Sequence, residues 1–420
     1  MWCGQRGASS SRRIVSHEPT PDGLTPPFHA PPRAGPALEV DLLIVGAGVA
    51  GLWLHAALTR LGWSALVLER DRVGGGQTLF AQGILHSGAK YGLGAAPPPP
   101  AYRRALALWE EALSGQGLVP LDDVPVARGA RWMWPVDQAG RARLQQLAQL
   151  DPLLSRAERP YPPALRRAEG LYRLAEPSLD VGALIRTLAH RAVPRLVHLD
   201  PLDAAWQLGE GGRCRLTWRA PALRVDARRL ILCGGAGNAA LSERLTGGPR
   251  TQRRPLHMVM LRASSLPALS LHVVDAGDGP VLTLTTHLDG DGERVWYLGG
   301  GLAERGVARS PAAQIAEARR LLGALFPDLD LGGARWETLR VDRAERWQAD
   351  GRRPAGPDLV AHPQALVGWP TKLTLTPLLG KQVVEALAAE GLRPSAPLAD
   401  EALRGLPQPP PGAPPWRRAG

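Results

Sequence analysis

Lysine is nearly missing from this chain. Of its 50 basic residues only Lys90, Lys372 and Lys381 are lysine; with 39 acidic residues the formal charge is +11. So basic a balance ordinarily points to nucleic acid or an anionic surface. Here the arginines are scattered, with no basic stripe interleaved with aromatics, and alanine, glycine (48) and proline (41) are abundant. That pattern reads as a compositional bias that turns surface lysine into arginine, so direct nucleic-acid binding is not expected. Lysine is a compact point charge and arginine a wide planar fork, so retention of a lysine hints at a steric or electronic requirement.

Cysteine is as scarce. Cys3, Cys214 and Cys233 are too few and too dispersed for a disulfide framework or a metal site. A reducing cytoplasm is the default location, with peripheral membrane association left open. An unbroken membrane-length apolar run is also missing. Residues 42–58 come nearest, but three glycines interrupt the first half and Asp41 abuts the start, so the segment divides into a strand and a helix. Residues 1–38 are rich in Pro, Ser and Arg without periodicity. Ser11-Arg12-Arg13 superficially resembles a twin-arginine signal, yet no apolar region follows it. A disordered leader, an over-extended start or an organellar presequence all fit. The Pro-rich residues 404–420 are expected to be an unstructured tail.

What is present begins at residues 39–70: an apolar strand, a turn carrying Gly46, Gly48 and Gly51, an amphipathic helix, a second strand, then Glu69. A dinucleotide-binding βαβ unit requires that order. Gly46 permits the tight turn, Gly48 the approach of a pyrophosphate, and Gly51 close packing of helix on strand. The helix N-terminus then faces phosphate, and the acid accepts from ribose hydroxyls.

A long loop dense in glycine follows (70–100), of a length usually reserved for function. Helices are predicted at 101–113, 137–150, 180–191 and 310–325, the last with Ser310 as N-cap and Pro311 at its first position. Residues 205–208 and 215–218 flank a hairpin turn. A buried strand at 229–233 ends in glycines, with Asn238 expected to cap the next helix. Alternation over 255–300 and 335–347 suits a mostly antiparallel sheet, and 365–389 reads as strand, turn, helix.

With those elements placed, the chain resembles the D-amino-acid oxidase / glycerol-3-phosphate dehydrogenase superfamily of FAD-dependent oxidoreductases. The carrying residues are Gly46, Gly48, Gly51 and Glu69, the segment 77–88 (Gln77, Thr78, Gln82, Gly83, His86, Gly88), the segment 230–237, and the turn 368–377 around Lys372. The second segment is similar to the flavin-contacting stretch of the sarcosine, dimethylglycine and 2-hydroxyglutarate branches. Similarity spans most of residues 38–395, while 100–175 and 247–345 match only in pattern.

The resemblance implies an α/β fold. A Rossmann-like FAD-binding domain (GR2-type) would be built from discontinuous segments (39–100, 176–246, 354–395), with an antiparallel-sheet substrate domain from 101–175 and 247–353. It implies that FAD contacts Gly46, Gly48, Gly51, Glu69, Gln77, Thr78, Gln82, Gly83, His86, Gly235, Lys372 and Leu373. Lys372, or the amides of its turn, would stabilise the negative charge that accumulates near N1 and C2=O on reduction. His86 would lie beside the ring, as a base or as an orienting group. In some dimethylglycine-type relatives a histidine of this stretch carries the flavin covalently. A histidine satisfied by backbone groups is the plainer alternative.

Lys90 and Tyr91 are placed at the entrance. For a carboxylate substrate His287, Tyr297, Arg343, Arg346, Arg352 and Arg353 are candidates, and Arg343 is preferred because it sits on the strand leading back to the flavin domain. The implied activity is removal of a hydride from a carbon bearing an amine or hydroxyl in a small substrate, with oxygen, a quinone or another acceptor reoxidising the flavin. Beside it stand a nicotinamide-dependent dehydrogenase and a flavin-binding subunit without turnover.

Overall fold

In the computed structural model, residues 37–93, 99–129, 131–395 and 398–417 are described; the leader expected at 1–38 falls outside them except for its last two residues, which open the first strand. The strand β1 (Ala37–Val45), the helix α1 (Val49–Arg60) and the strand β2 (Ala65–Glu69) form the expected βαβ unit. From Leu42 to Val45 β1 is buried on both faces, as its unbroken run of Leu, Ile and Val requires of a strand inside a parallel sheet. The run 42–58 thus divides between strand and helix. Among the described residues no helix is long and apolar enough to cross a membrane.

Distant segments complete that sheet. β1 pairs in parallel with both β2 and Leu223–Leu232; the latter pairs in parallel with Ala365–Trp369, and β2 with Leu196–His198. One face is covered by α1, Pro100–Leu113, Val181–Ala192 and Thr376–Ala389, through residues such as Leu52, Trp109, Leu184 and Leu379. The other face buries Leu43, Val45 and Leu230 against the hairpin Ala205–Leu208 / Cys214–Trp218.

A second eight-stranded sheet runs in the order Arg335–Arg346, Thr251–Arg262, Arg294–Gly299, Leu282–Leu288, Ser270–Val274, Arg131–Pro135, Tyr172–Leu174, Leu154–Arg156. All its pairings are antiparallel except that of Ser270–Val274 with Arg131–Pro135. The helix Pro311–Leu325 packs behind it, and Ser310 caps it by accepting from Ala313 N. The fold is therefore α/β, with a parallel sheet of discontinuous strands beside an antiparallel one.

Two expectations about local structure are corrected. Asn238 does not cap its helix. It is the first residue of Asn238–Ser242, and its amide accepts from Gly234 N at 2.8 Å while donating to Gly368 O at 3.1 Å. The segment 404–417 is not loose either. Val73 N donates to Pro410 O and Gly412 N to Val73 O, and Trp416 is buried with its ring stacked on His287 at 3.6 Å. Proline density signalled the absence of helix and strand there, but these prolines leave carbonyls free to accept, and Trp416 supplies apolar area that anchors the segment.

Candidate functional site

A cavity of about 1320 Å³ opens at the C-terminal ends of the parallel strands, with the antiparallel sheet forming its far wall. That is where ligands of open α/β sheets bind, and the volume exceeds the range of about 300–1,000 Å³ typical of a site for one drug-sized ligand. A dinucleotide and a small substrate can share it.

At one end lies the glycine turn. Gly46 has φ +106, and a Cβ there would sit 2.7 Å from Cys233 O; a Cβ on Gly51 would lie 1.9 Å from Gly46 O. Strand, turn and helix approach so closely that no other residue fits. Glu69 Oε2 accepts from Ala47 N at 2.8 Å and its Oε1 from Asp71 N at 2.9 Å, which fixes the carboxylate beside the turn with acceptor sites to spare. Thr78 Oγ1 accepts from Val49 N at 3.1 Å, on the first turn of α1. Opposite, Gly235 is left-handed (φ +57), and no atom lies within 4 Å of where a Cβ would stand, so the second glycine turn leaves open space. These features fit the two phosphates and the ribose of FAD.

The loop after β2 carries the next group of residues across the gap between the sheets. Gln77 Oε1 accepts from Ala344 N, and Gln82 Nε2 donates to Tyr297 O at 2.9 Å and Thr283 O at 3.2 Å. Gly83, at φ +76, passes so close to Leu179 that a Cβ would stand 2.3 Å from its carbonyl oxygen. Gln77 and Gln82 are thus clamps between loop and sheet, although both also line the cavity.

His86 and its partners hold the far end. The His86 backbone N donates to Thr374 Oγ1 at 2.8 Å, Nδ1 lies 3.1 Å from Glu176 Oε2, and Nε2 lies 2.7 Å from Lys90 Nζ. Glu176 Oε1 accepts from both Ser87 N and Ser87 Oγ, and Arg131 stands 3.7 Å from Oε2. Burial, reinforced by Lys90, Arg131, Lys372 and Arg353, holds His86 well below the usual imidazole range, so it is neutral. A neutral ring facing a carboxylate keeps its proton on Nδ1, and Nε2 then accepts from Lys90. His272 is similarly held neutral, chiefly by burial, with its Nε2 unpartnered among the described residues. His86, Glu176 and His272 offer ligand atoms within 4.8 Å of one another. Arg131 and Lys90 supply the positive charge there, and hydrogen bonds already occupy Glu176 and both nitrogens of His86.

The turn 368–377 meets this cluster. Thr371 is the one described non-glycine residue with positive φ (+62), and its hydroxyl donates to Gly356 O. Lys372 lines the cavity, and burial, together with Arg343, Lys90, Arg353 and Arg254, pushes its pKa well down. Arg343 also lines the cavity but is committed: it pairs with Glu304 at 2.9 Å and donates to Arg254 O. Arg353 has more freedom. Its guanidinium lies 4.2 Å from the centroid of the Tyr91 ring, and its Nε has no hydrogen-bond partner among the described residues.

All the residues expected to hold FAD or to act in catalysis therefore border one cavity except Gly51, which packs behind the turn. Of the other substrate candidates, His287 stacks on Trp416, the Tyr297 hydroxyl donates to Phe80 O, Arg346 pairs with Asp358, and Arg352 is exposed. Glu176, Arg131 and Thr374 were missed as individual positions. Glu176 lies 90 residues from His86 with no local pattern around it, whereas Thr374 lies inside the turn that carried the family resemblance.

The family model described as FAD dependent oxidoreductase matches residues 41–385. A probable FAD-dependent oxidoreductase of Pseudomonas aeruginosa is 43% identical over 406 residues, which is 91% of this chain and 99% of that protein. The crystal structure of an FAD dependent oxidoreductase from Pseudomonas aeruginosa superposes with a TM-score of 0.77 at 40% identity, over 91% of this chain and 98% of the other. Glycine oxidase from Geobacillus kaustophilus gives 0.63 at 18% identity, covering 86% and 97%. At that identity the likeness concerns the fold alone.

Proposed function

This chain belongs to the FAD-dependent oxidoreductase family and uses FAD, and on that footing we propose that it oxidises a carbon bearing an amine or hydroxyl in a small carboxylate substrate. The observation that carries this reading is Arg353. A guanidinium that lines the cavity over the Tyr91 ring, beside Lys90, is suited to bind a carboxylate.

Bound FAD supplies a two-electron acceptor for the hydride. The chain's own residues do the rest. Gly46, Gly48, Glu69 and Thr78 hold the dinucleotide at the start of α1. Lys372 sits in the tight turn that meets the His86 loop, where its N–H groups would donate to the ring edge on which reduction places negative charge. Gln77 and Gln82 keep that loop against the antiparallel sheet and so help close the chamber from water. Arg353 orients the substrate carboxylate, and the His86 cluster handles the proton.

Purified protein is expected to be yellow, and acid precipitation separates free from covalently held flavin. Anaerobic bleaching against a panel of amino and hydroxy acids, with their amides as controls, then reads the substrate. Acids should bleach and amides should not, and Arg353→Met should raise KM about 10- to 100-fold, the loss of one charged hydrogen-bonded contact. Bleaching by a nicotinamide cofactor alone would favour the dehydrogenase reading, and flavin retention with no bleaching by any compound a non-catalytic subunit. Oxygen uptake compared with quinone reduction identifies the acceptor.

A further inference from the structure

We propose that Lys90 takes up the substrate's N–H proton, with His86 and Glu176 as the residues that position it. The assignment rests on the substrate reading above and narrows it to an amine.

Three contacts in series make the case. Glu176 Oε2 lies 3.1 Å from His86 Nδ1, His86 Nε2 lies 2.7 Å from Lys90 Nζ, and Lys90 lines the cavity beside Arg353. Both ring nitrogens of His86 are therefore committed, and it has no free site for a substrate proton. Lys90 does. As an ammonium or as an amine it can donate one N–H to Nε2, so that bond survives proton transfer, while the rest of Nζ is left for the substrate. Glu176 is itself fixed by Ser87 N, Ser87 Oγ and the nearby Arg131, which keeps the whole series in register.

The charges around Lys90 favour a base. Burial lowers its pKa, Glu176 opposes that, Arg353 and Arg131 lower it further and Glu304 opposes them; the result is about 7. His86 and His272 face it as neutral rings, Lys372 shares its cavity, and the Tyr91 ring centroid is 5.2 Å from Nζ. An arginine in this position could not give up its proton near neutral pH.

In the step proposed, the N–H bond of the substrate ammonium breaks, its electron pair stays on nitrogen, and the proton moves to the Lys90 amine, which becomes an ammonium. The freed pair forms the C=N bond while the adjacent C–H hydrogen leaves with both its electrons to oxidised FAD. The product is an iminium.

Three lysines in the chain make the test simple to read. Competitive acetylation of the holoenzyme with acetic anhydride, followed peptide by peptide across pH 6–9, should modify Lys90 with a midpoint near pH 7. Lys381, exposed on the last α-helix, is the internal reference for reagent reactivity. Glu176→Gln should move the Lys90 midpoint lower, because a negative charge that favours the ammonium is lost. Anaerobic flavin reduction by an amino acid should rise through the same pH region. In Lys90→Met it should fall about 100-fold, lose that rise, and recover in part with added small primary amines. Lys90 labelling in step with Lys381, or a wild-type pH profile in Lys90→Met, would overturn the assignment even with a good substrate in hand. Failure of every amino and hydroxy acid to bleach the flavin would instead overturn the substrate reading.

Discussion

At the scale of single residues, Gly51 shows how little freedom the dinucleotide turn has. A methyl group there would overlap the Gly46 carbonyl oxygen at 1.9 Å, and both atoms belong to rigid backbone. Gly51→Ala is expected to destabilise the protein by about 3 kcal/mol and to strip it of flavin, since strand and helix must part to admit the methyl. Urea unfolding and the ratio of flavin to protein absorbance check this; a yellow variant of wild-type stability would refute it. Glycine spacing announces such a position because the requirement is local. Charged residues behave otherwise. Of the three retained lysines, Lys90 and Lys372 line the cavity, whereas Lys381 lies exposed with Glu385 at 3.9 Å, so the compositional hint separates site from surface only in part. Arg343 was preferred to Arg353 from its place on the strand, in a chain rich in arginine. Only the neighbours distinguish them: Glu304 occupies the first, and Tyr91 merely underlies the second.

At the scale of elements, Asn238 joins two chain segments through one amide group. Gly234 N and Gly368 O both bind it, so the turn after Leu223–Leu232 is tied to the end of Ala365–Trp369. Asn238→Leu leaves one buried and one half-buried backbone group without that partner. Its expected cost is about 2–4 kcal/mol, with faster flavin release, measured by urea unfolding and by dialysis against excess apoprotein. Unchanged release would show that the tie does not shape the cofactor site. Helices and strands were legible from period and punctuation: Ser310 and Pro311 start Pro311–Leu325 as expected. The role of Asn238 was not, because a helix-start signal and a tertiary amide bridge use the same residue type. Residues 404–417 were misread for a related reason. Composition reports propensity for regular structure, and docking by Trp416 needs none.

At the scale of the whole molecule, burial of neutral histidines should make the protein acid-sensitive. Burial lowers His55 to about 4 and His287 to about 3, and holds His86 and His272 well below the usual value. Above pH about 6.5 these rings are neutral folded and unfolded alike, and their neutrality costs nothing. Below it the unfolded chain binds protons that the folded chain refuses. Stability then falls by about 1.4 kcal/mol per pH unit for each such group, until the folded value is reached. Lys90 and Lys372, whose folded values are also depressed by burial, should make the urea midpoint decline already between pH 8 and 6.5, and the histidines should steepen the drop toward pH 5, less so in His55→Leu. A midpoint flat to pH 5 would contradict the burial of these rings.

The fold class, the cofactor and the dinucleotide turn were set by the sequence itself. Strand period, glycine spacing and a terminal acid act over a few residues, and local sterics determine their meaning. The reactive end was decided by tertiary structure alone. His86, Glu176, Thr374 and Arg353 come from four separated segments, and whether a side chain is paired, buried or free depends on which of the others it meets. No spacing along the chain records that meeting.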